Sequence, residues 1–314
     1  MQSDKVHPWG TAAARLITVT RGEEADTVHS GTACLSDARG NILWSLGDVE
    51  DRAFLRSSAK PLQAMPVITT GAADAFGLDD RDLAILCGSH TGDPEQIAQV
   101  SGILAKCRLT GDALACGNGL SDMCSGKHAG MLMGCQHLGL PLEQYLDLNH
   151  PWQQYILASI CDHAGLEPSE VHIAEDGCSA PTYSLPLFNM ALGFARLAKS
   201  ATPSSASQRL LHSMYNYPGG HTGEPDLKPF SDAGELVTKG GVNGIFCAAL
   251  PTLGLGFALK VNDGSSLPHW PVFTEALFRA GLISESTKNR MHQTLVTKIT
   301  TRQGRIAGSI HLEF

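Results

Sequence analysis

The residues best equipped for chemistry begin at Arg56-Ser57-Ser58-Ala59-Lys60-Pro61. This run follows a β-like segment and opens an apparent helix through Leu62, Met65 and Val67. Residues three apart on a helix share a face, so the Ser57 hydroxyl and the Lys60 amine can meet. A serine hydroxyl attacks a carbonyl only when something takes its proton. Lysine can do so when neutral, and lowering its usual pKa of about 10.4 by about three units costs roughly 4 kcal/mol. Burial and a second cation nearby are the ordinary means. The tetrapeptide is short, and the same pattern also serves as a helix cap followed by a surface lysine. Pro61 fits a first helical turn, where its missing N–H would have no partner.

Other stretches could complete such a site. Cys87-Gly88-Ser89-His90-Thr91-Gly92-Asp93 lies between a helix-like 81–86 and a helix capped at Asp93. Thr238-Lys239-Gly240-Gly241 stands at a strand end. In Ser-x-x-Lys hydrolases a second serine from a helical part and a lysine from a sheet strand complete the centre, and Ser89 and Lys239 can fill those places. Lys239 would then supply the positive charge that keeps Lys60 neutral. Lys260 competes for that role, and a polar turn or a solvated strand-end lysine is the plainer alternative. Cys124-Ser125-Gly126-Lys127-His128 precedes a helix, and Glu175-Asp176-Gly177-Cys178 ends a strand-like segment. A thiol near a helix N-terminus has a lowered pKa and ligates better. Two thiolates could hold zinc, although neither spacing is a zinc-finger pattern; a reactive thiol or two thiols lining a pocket remain open.

The elements that must position these residues run β, then α, then β. Short segments rich in β-branched residues at 15–20, 28–35 and 42–46 are separated by turn-formers at Arg21-Gly22 and 37–41, which predicts an antiparallel meander. Asp93-Pro94-Glu95 is a cap, a first-turn proline and an acid, followed by an apolar stripe at Ile97, Val100, Ile103 and Leu104. Further helices are expected over 128–138, 152–163 and 187–199. Residues 200–207 read as a connector, after which strands are expected at 236–239, 244–250 and 257–261. Two amphipathic segments, 271–280 and 286–299, precede a last strand near 306–312. The expectation is an α+β fold occupying the whole chain, 1–314. Both termini would build one antiparallel sheet flanked by helices, with roughly 70–215 as a central helical part.

Composition narrows the function. A formal charge of −8 without a Lys/Arg cluster opposes binding to nucleic acid. No apolar run reaches the roughly 18 residues of a membrane span. Residues 1–11 lack a basic segment leading into an apolar core, and nine cysteines cannot all pair, so reduced thiols in the cytoplasm are expected. Most of them, such as Cys247 among Ile245, Phe246 and Ala248, read as small core residues.

Taken together, Arg56-Ser57-Ser58-Ala59-Lys60-Pro61, Ser89-His90-Thr91-Gly92, the nine residues from Cys124 to Leu132, and Asp176-Gly177-Cys178-Ser179-Ala180-Pro181 resemble the Rhizobium-type, or class 3, L-asparaginase family. Thr20-Arg21-Gly22, His29-Ser30-Gly31 and His150-Pro151-Trp152-Gln153 extend the resemblance over 16–308. It implies a serine β-lactamase-like fold and hydrolysis of L-asparagine to aspartate and ammonia by a homodimer. It implies Ser57 as nucleophile, Lys60 as its base and Ser89 in a second serine–lysine pair. It also implies zinc on Cys124, Lys127 and Cys178, with Asp176 beside it. Arg56 and His90 are candidates for holding the substrate's carboxylate and amine. A glutaminase, another Ser-x-x-Lys acyl hydrolase, or a non-catalytic zinc- or amino-acid-binding homologue are the alternatives. Two departures stand out. The family carries a longer segment where only 118–123 precede Cys124 here, and Val242-Asn243-Gly244 replaces an acidic residue that usually follows the second lysine.

Overall fold

The computed structural model describes residues 13–199 and 205–314. The expectation of no leader in 1–11 and most of the connector at 200–207 fall outside these residues.

The chain opens with β1 (Ala14–Arg21), β2 (Glu24–Asp37) and β3 (Ile42–Leu46), then the short β4 (Arg52–Phe54). Gly22, at φ 59°, turns β1 into β2. The Asp37 carboxylate closes the next turn by accepting from the amides of Arg39 and Asn41, at 2.8 and 2.9 Å. Helices α1 (Lys60–Thr69), α2 (Ala72–Ala75), α3 (Asp80–Leu86), α4 (Pro94–Lys106), α5 (Ser125–Leu138) and α6 (Pro151–Ala164) follow. Next come β5 (His172–Glu175), β6 (Pro181–Pro186), α7 (Leu187–Lys199) and α8 (Ala206–Asn216). The chain ends with β7 (Val237–Gly240), β8 (Ile245–Leu250), β9 (Leu255–Val261), α9 (His269–Arg279), α10 (Glu285–Leu295) and β10 (Ile310–Leu312).

Both ends of the chain build one antiparallel sheet in the order β10-β1-β2-β9-β8-β7, with β3 also paired to β2. The long β2 serves three partners: its first half pairs with β1, its second half pairs with β3, and from Gly31 to Asp37 it also pairs with β9. Along β8 the side chains alternate between two cores. Ile245, Cys247 and Ala249 join the core shared with the helical part. Phe246, Ala248 and Leu250 join the core under α9 and α10, with Phe257 and Phe273. The period of two is what a sheet covered on both faces requires. On the first face α7 crosses β9 at Gly256, where a Cβ would overlap Ala191 O and Ala195 N. A second, three-stranded sheet, β4-β6-β5, leads the chain into α1.

The α+β order is as expected, and three details differ. Helix α8 intervenes before strands resume; Ser205 caps it by accepting from the Gln208 amide. The last helix stops at Leu295 rather than near 299, and the final strand shrinks to Ile310–Leu312. Strands β4 and β6 were not anticipated: β4 is three residues long and β6 is bounded by Pro181 and Pro186. Among the described residues, no helix is long and apolar enough to cross a membrane.

Candidate active site

Strand β4 delivers the chain to Leu55, whose amide donates to Tyr183 O at 2.9 Å. The backbone then turns sharply: Arg56 sits in the left-handed region at φ 49°, unfavourable for a residue with a Cβ. A single 3-10 turn, Arg56–Ala59, runs straight into α1. This lifts Ser57 to the start of a helix, 9% exposed, and drives Lys60 inward, 1% exposed. Pro66 lies inside α1 and cannot donate to Leu62 O, four residues back; the Ser159 hydroxyl of α6 donates to that carbonyl instead, at 2.8 Å. The helix bearing the candidate base is thereby kept whole and tied to its neighbour.

The Lys60 amine donates to Gly88 O, to Met123 O at 3.0 Å and to Ser89 Oγ at 3.0 Å. None of its hydrogen bonds goes to Ser57. Burial pushes its pKa down to about 8, with Cys124 opposing the shift and the charges on Lys239 and Lys127 adding to it. A buried lysine poised this way loses its proton far more readily than a solvated one. Position 88 needs a glycine for packing: a Cβ there would overlap His221 O.

Strand β7 closes the other side. Ser58 Oγ donates to Lys239 O at 2.7 Å, fastening the 3-10 turn to the strand. Beyond it, a Cβ on Gly241 would lie 3.2 Å from the Ser57 amide nitrogen and 2.5 Å from Ile245 Cγ2, so only glycine lets the strand end approach so closely. The Ser57 N–H donates to no backbone carbonyl among the described residues. Lys239 is 1% exposed, and its Nζ donates to Glu224 Oε1 at 3.0 Å and Gly240 O at 2.9 Å. Lys260 donates to the carbonyls of Asn243 and Val261 and lines a neighbouring cavity of about 510 Å³. Of the two lysines, Lys239 is the one whose charge bears on Lys60.

The thiols also converge. Cys124 and Cys178 lie side by side, and hydrogen bonding from Cys124, opposed by burial and helped by His128 from the same helix as Lys127, lowers the Cys178 pKa. Lys127 Nζ donates to Cys178 Sγ at 3.2 Å. Burial works against the Lys127 charge, but the two sulfurs outweigh it and raise its pKa. Among the described residues no group of three or more His, Cys, Asp and Glu gathers as a metal cluster, so any site here depends on the lysine.

A cavity of about 610 Å³ is lined by Arg56, Ser57, Ser89, His90, Cys124, Asp176 and Cys178, among others. On its wall Arg56 Nη2 and Asp176 Oδ1 form an ion pair at 2.7 Å. His90 is less available. Its Nδ1 accepts from the Gly92 amide at 3.1 Å, so Nε2 carries the hydrogen and donates to Ser125 Oγ at 2.8 Å. Burial, then the charge on Lys60, lowers its pKa, and both nitrogens are engaged with protein. The loop before Cys124 supplies part of the wall, through Asn118, Ser121, Asp122 and Met123. Sequence reasoning missed Glu224 and the Gly88 and Met123 carbonyls. No motif marks a carboxylate in a turn fifteen residues before its lysine, and backbone acceptors have no sequence signature.

A family model described as L-asparaginase II matches residues 17–122 and 118–312. The chain belongs to the L-asparaginase II family. A search of curated proteins returned no match. Solved structures similar to this L-asparaginase II family chain include a probable glutaminase, ybaS, at 17% identity, covering 80% of this chain and 85% of that one, TM-score 0.48. A β-lactamase of Mycobacterium bovis, Mb2281c, shares 14% identity over 81% of this chain and 95% of that one, TM-score 0.45. Mglu in its tris and glutamate form shares 15% identity over 86% of this chain, TM-score 0.46, and the present chain covers 61% of its length.

Proposed function

We propose that this chain hydrolyses the side-chain amide of a small amino acid, L-asparagine in the first place, to aspartate and ammonia. The observation that carries the reading is a fully buried lysine, its pKa pushed down to about 8, beside a cavity that holds two serines and an Arg–Asp pair. The Arg56–Asp176 pair offers a cation and an anion to the carboxylate and ammonium of an amino acid. Lys60 takes the proton of Ser57, which attacks the carboxamide carbon. The oxyanion is met by the Ser57 N–H, which has no competing backbone acceptor among the described residues. The proton passes from Lys60 through Ser89, already bonded to it at 3.0 Å, to the departing nitrogen. Ammonia leaves, and water cleaves the acyl-Ser57 ester to give the acid and free serine.

Cys124, Lys127 and Cys178 would hold zinc: two soft sulfurs in mutual contact and an amine fit its donor preferences. Bound there, zinc would supply a fixed positive charge at the cavity wall. The Lys127 amine must shed its proton to ligate, so zinc binding weakens at low pH. The assembly we propose is a homodimer acting on a small molecule, without nucleic acid. Nine free thiols, all buried, suit a reducing, cytoplasmic setting.

The 3.0 Å contact between Lys60 and Ser89 favours a second reading, in which Ser89 is the nucleophile. Ammonia release from L-asparagine and from L-glutamine by the purified chain, with zinc content measured on the same sample, tests the proposal. Release from asparagine, at a rate above that from glutamine, is expected. Turnover of neither amide by zinc-loaded protein would overturn it.

A further inference from the structure

The turn 219–224 touches both sides of the candidate centre. It is closed on itself by Gly219 N donating to Glu224 O at 2.7 Å and Gly223 N donating to Gly219 O at 2.6 Å. On the helical side, Thr222 O accepts from the Ser89 amide at 3.1 Å. Gly223, at φ 76°, lies so close that a Cβ would come within 2.7 Å of Ser89 O. On the sheet side, Glu224 Oε1 accepts from Lys239 Nζ at 3.0 Å and from the Gly240 amide at 2.9 Å, while Oε2 accepts from Thr238 Oγ1 at 3.3 Å. Three consecutive residues of β7 thus converge on one carboxylate whose side chain is 14% exposed.

We propose that Glu224 is a positioning residue of the active centre, holding Lys239 in place and, through the turn that carries it, fixing Ser89 against strand β7. The inference rests on the amide-hydrolysis reading for its kinetic consequence but not for its structural one. Ser89 follows α3 in the helical part and Lys239 belongs to the sheet, so nothing in either element alone sets their separation. The turn does. A buried ammonium needs an opposite charge and filled hydrogen bonds to sit in one place, and Glu224 provides the charge.

Glu224→Gln keeps the shape and an acceptor and removes the charge. With L-asparagine as probe, kcat should fall at least about tenfold while KM changes by less than about threefold, the pattern of a lost transition-state geometry. Glu224→Asp, which retains the carboxylate, should recover part of the loss, and it serves as the test variant should the glutamine form not fold. Hydrogen–deuterium exchange on the same proteins reads the structural half directly. Peptides carrying Ser89 and Lys239 should exchange faster in Glu224→Gln, with the peptide carrying Trp152 unchanged. An unchanged kcat, or a loss confined to KM, overturns the proposal, as does exchange that is unaltered or raised evenly across the chain. Should the parent chain turn over neither asparagine nor glutamine, the amide-hydrolysis reading fails, and the exchange result alone decides the role of Glu224.

Discussion

At the scale of single residues, the centre is a competition for one proton. Lys60 is buried among three acceptors and near two other lysines, and burial is the largest of the forces that loosen its proton. Replacing it with methionine keeps the stem and removes the amine. Lys60→Met should lower ammonia release at least a hundredfold, a typical loss for a general base, with the melting temperature held or raised because a buried amine is gone. Near-parental turnover would remove Lys60 from the mechanism. The pairing of Lys60 with Ser89 rather than Ser57 was not legible from the Ser-x-x-Lys spacing. Spacing says which side chains share a face; it says nothing of a second serine arriving from another loop. Glu224 was illegible for the same reason, since its partners Lys239 and Gly240 are joined to it only by the fold.

At the scale of elements, the site exists because two close approaches are allowed. Strand β7 reaches the Ser57 amide only past Gly241, and α7 packs closest on β9 at Gly256, where there is no room for a Cβ. Gly256→Ala should destabilise the chain by about 1–3 kcal/mol, the usual cost of overpacking a filled core. Chemical denaturation reads this, and a stability unchanged within about 0.5 kcal/mol would show that the helix shifts freely. These elements were legible where apolar periodicity runs long. The helix expected over 187–199 is α7, Leu187–Lys199, and β8 and β9 stand where continuous apolar runs placed them. Helix α8 was not, because its start abuts a stretch of Ser, Pro and Ala that reads as a connector. Nor were β4 and β6: a three-residue strand has no period to count, and proline at both ends argues against a ladder.

For the whole molecule, pH should act through buried histidines. His269 opens α9 and stacks on Phe246 at 5.0 Å, with burial pushing its pKa down to about 4. Unfolded, it titrates near 6.5. The folded form therefore binds fewer protons between these values, and stability present above pH 6.5 is lost as pH falls to 4. The loss from this one side chain is on the order of 3 kcal/mol. His269→Phe keeps the stack and cannot titrate, so its stability should decline less between pH 7 and pH 4 in urea denaturation. Parallel pH profiles for the two proteins would contradict this. The net charge of −8 is legible from composition alone, whereas the burial that sets this titration depends on residues joined only when β8 meets α9.

The proposed chemistry turns on which hydroxyl carries the acyl group. The most direct measurement is acid quenching of the chain during turnover of L-asparagine, followed by peptide mapping by mass spectrometry. An aspartyl ester on the peptide that contains Ser57, absent from Ser57→Ala, is the predicted result. The ester on the peptide that contains Ser89, persisting in Ser57→Ala, would contradict it.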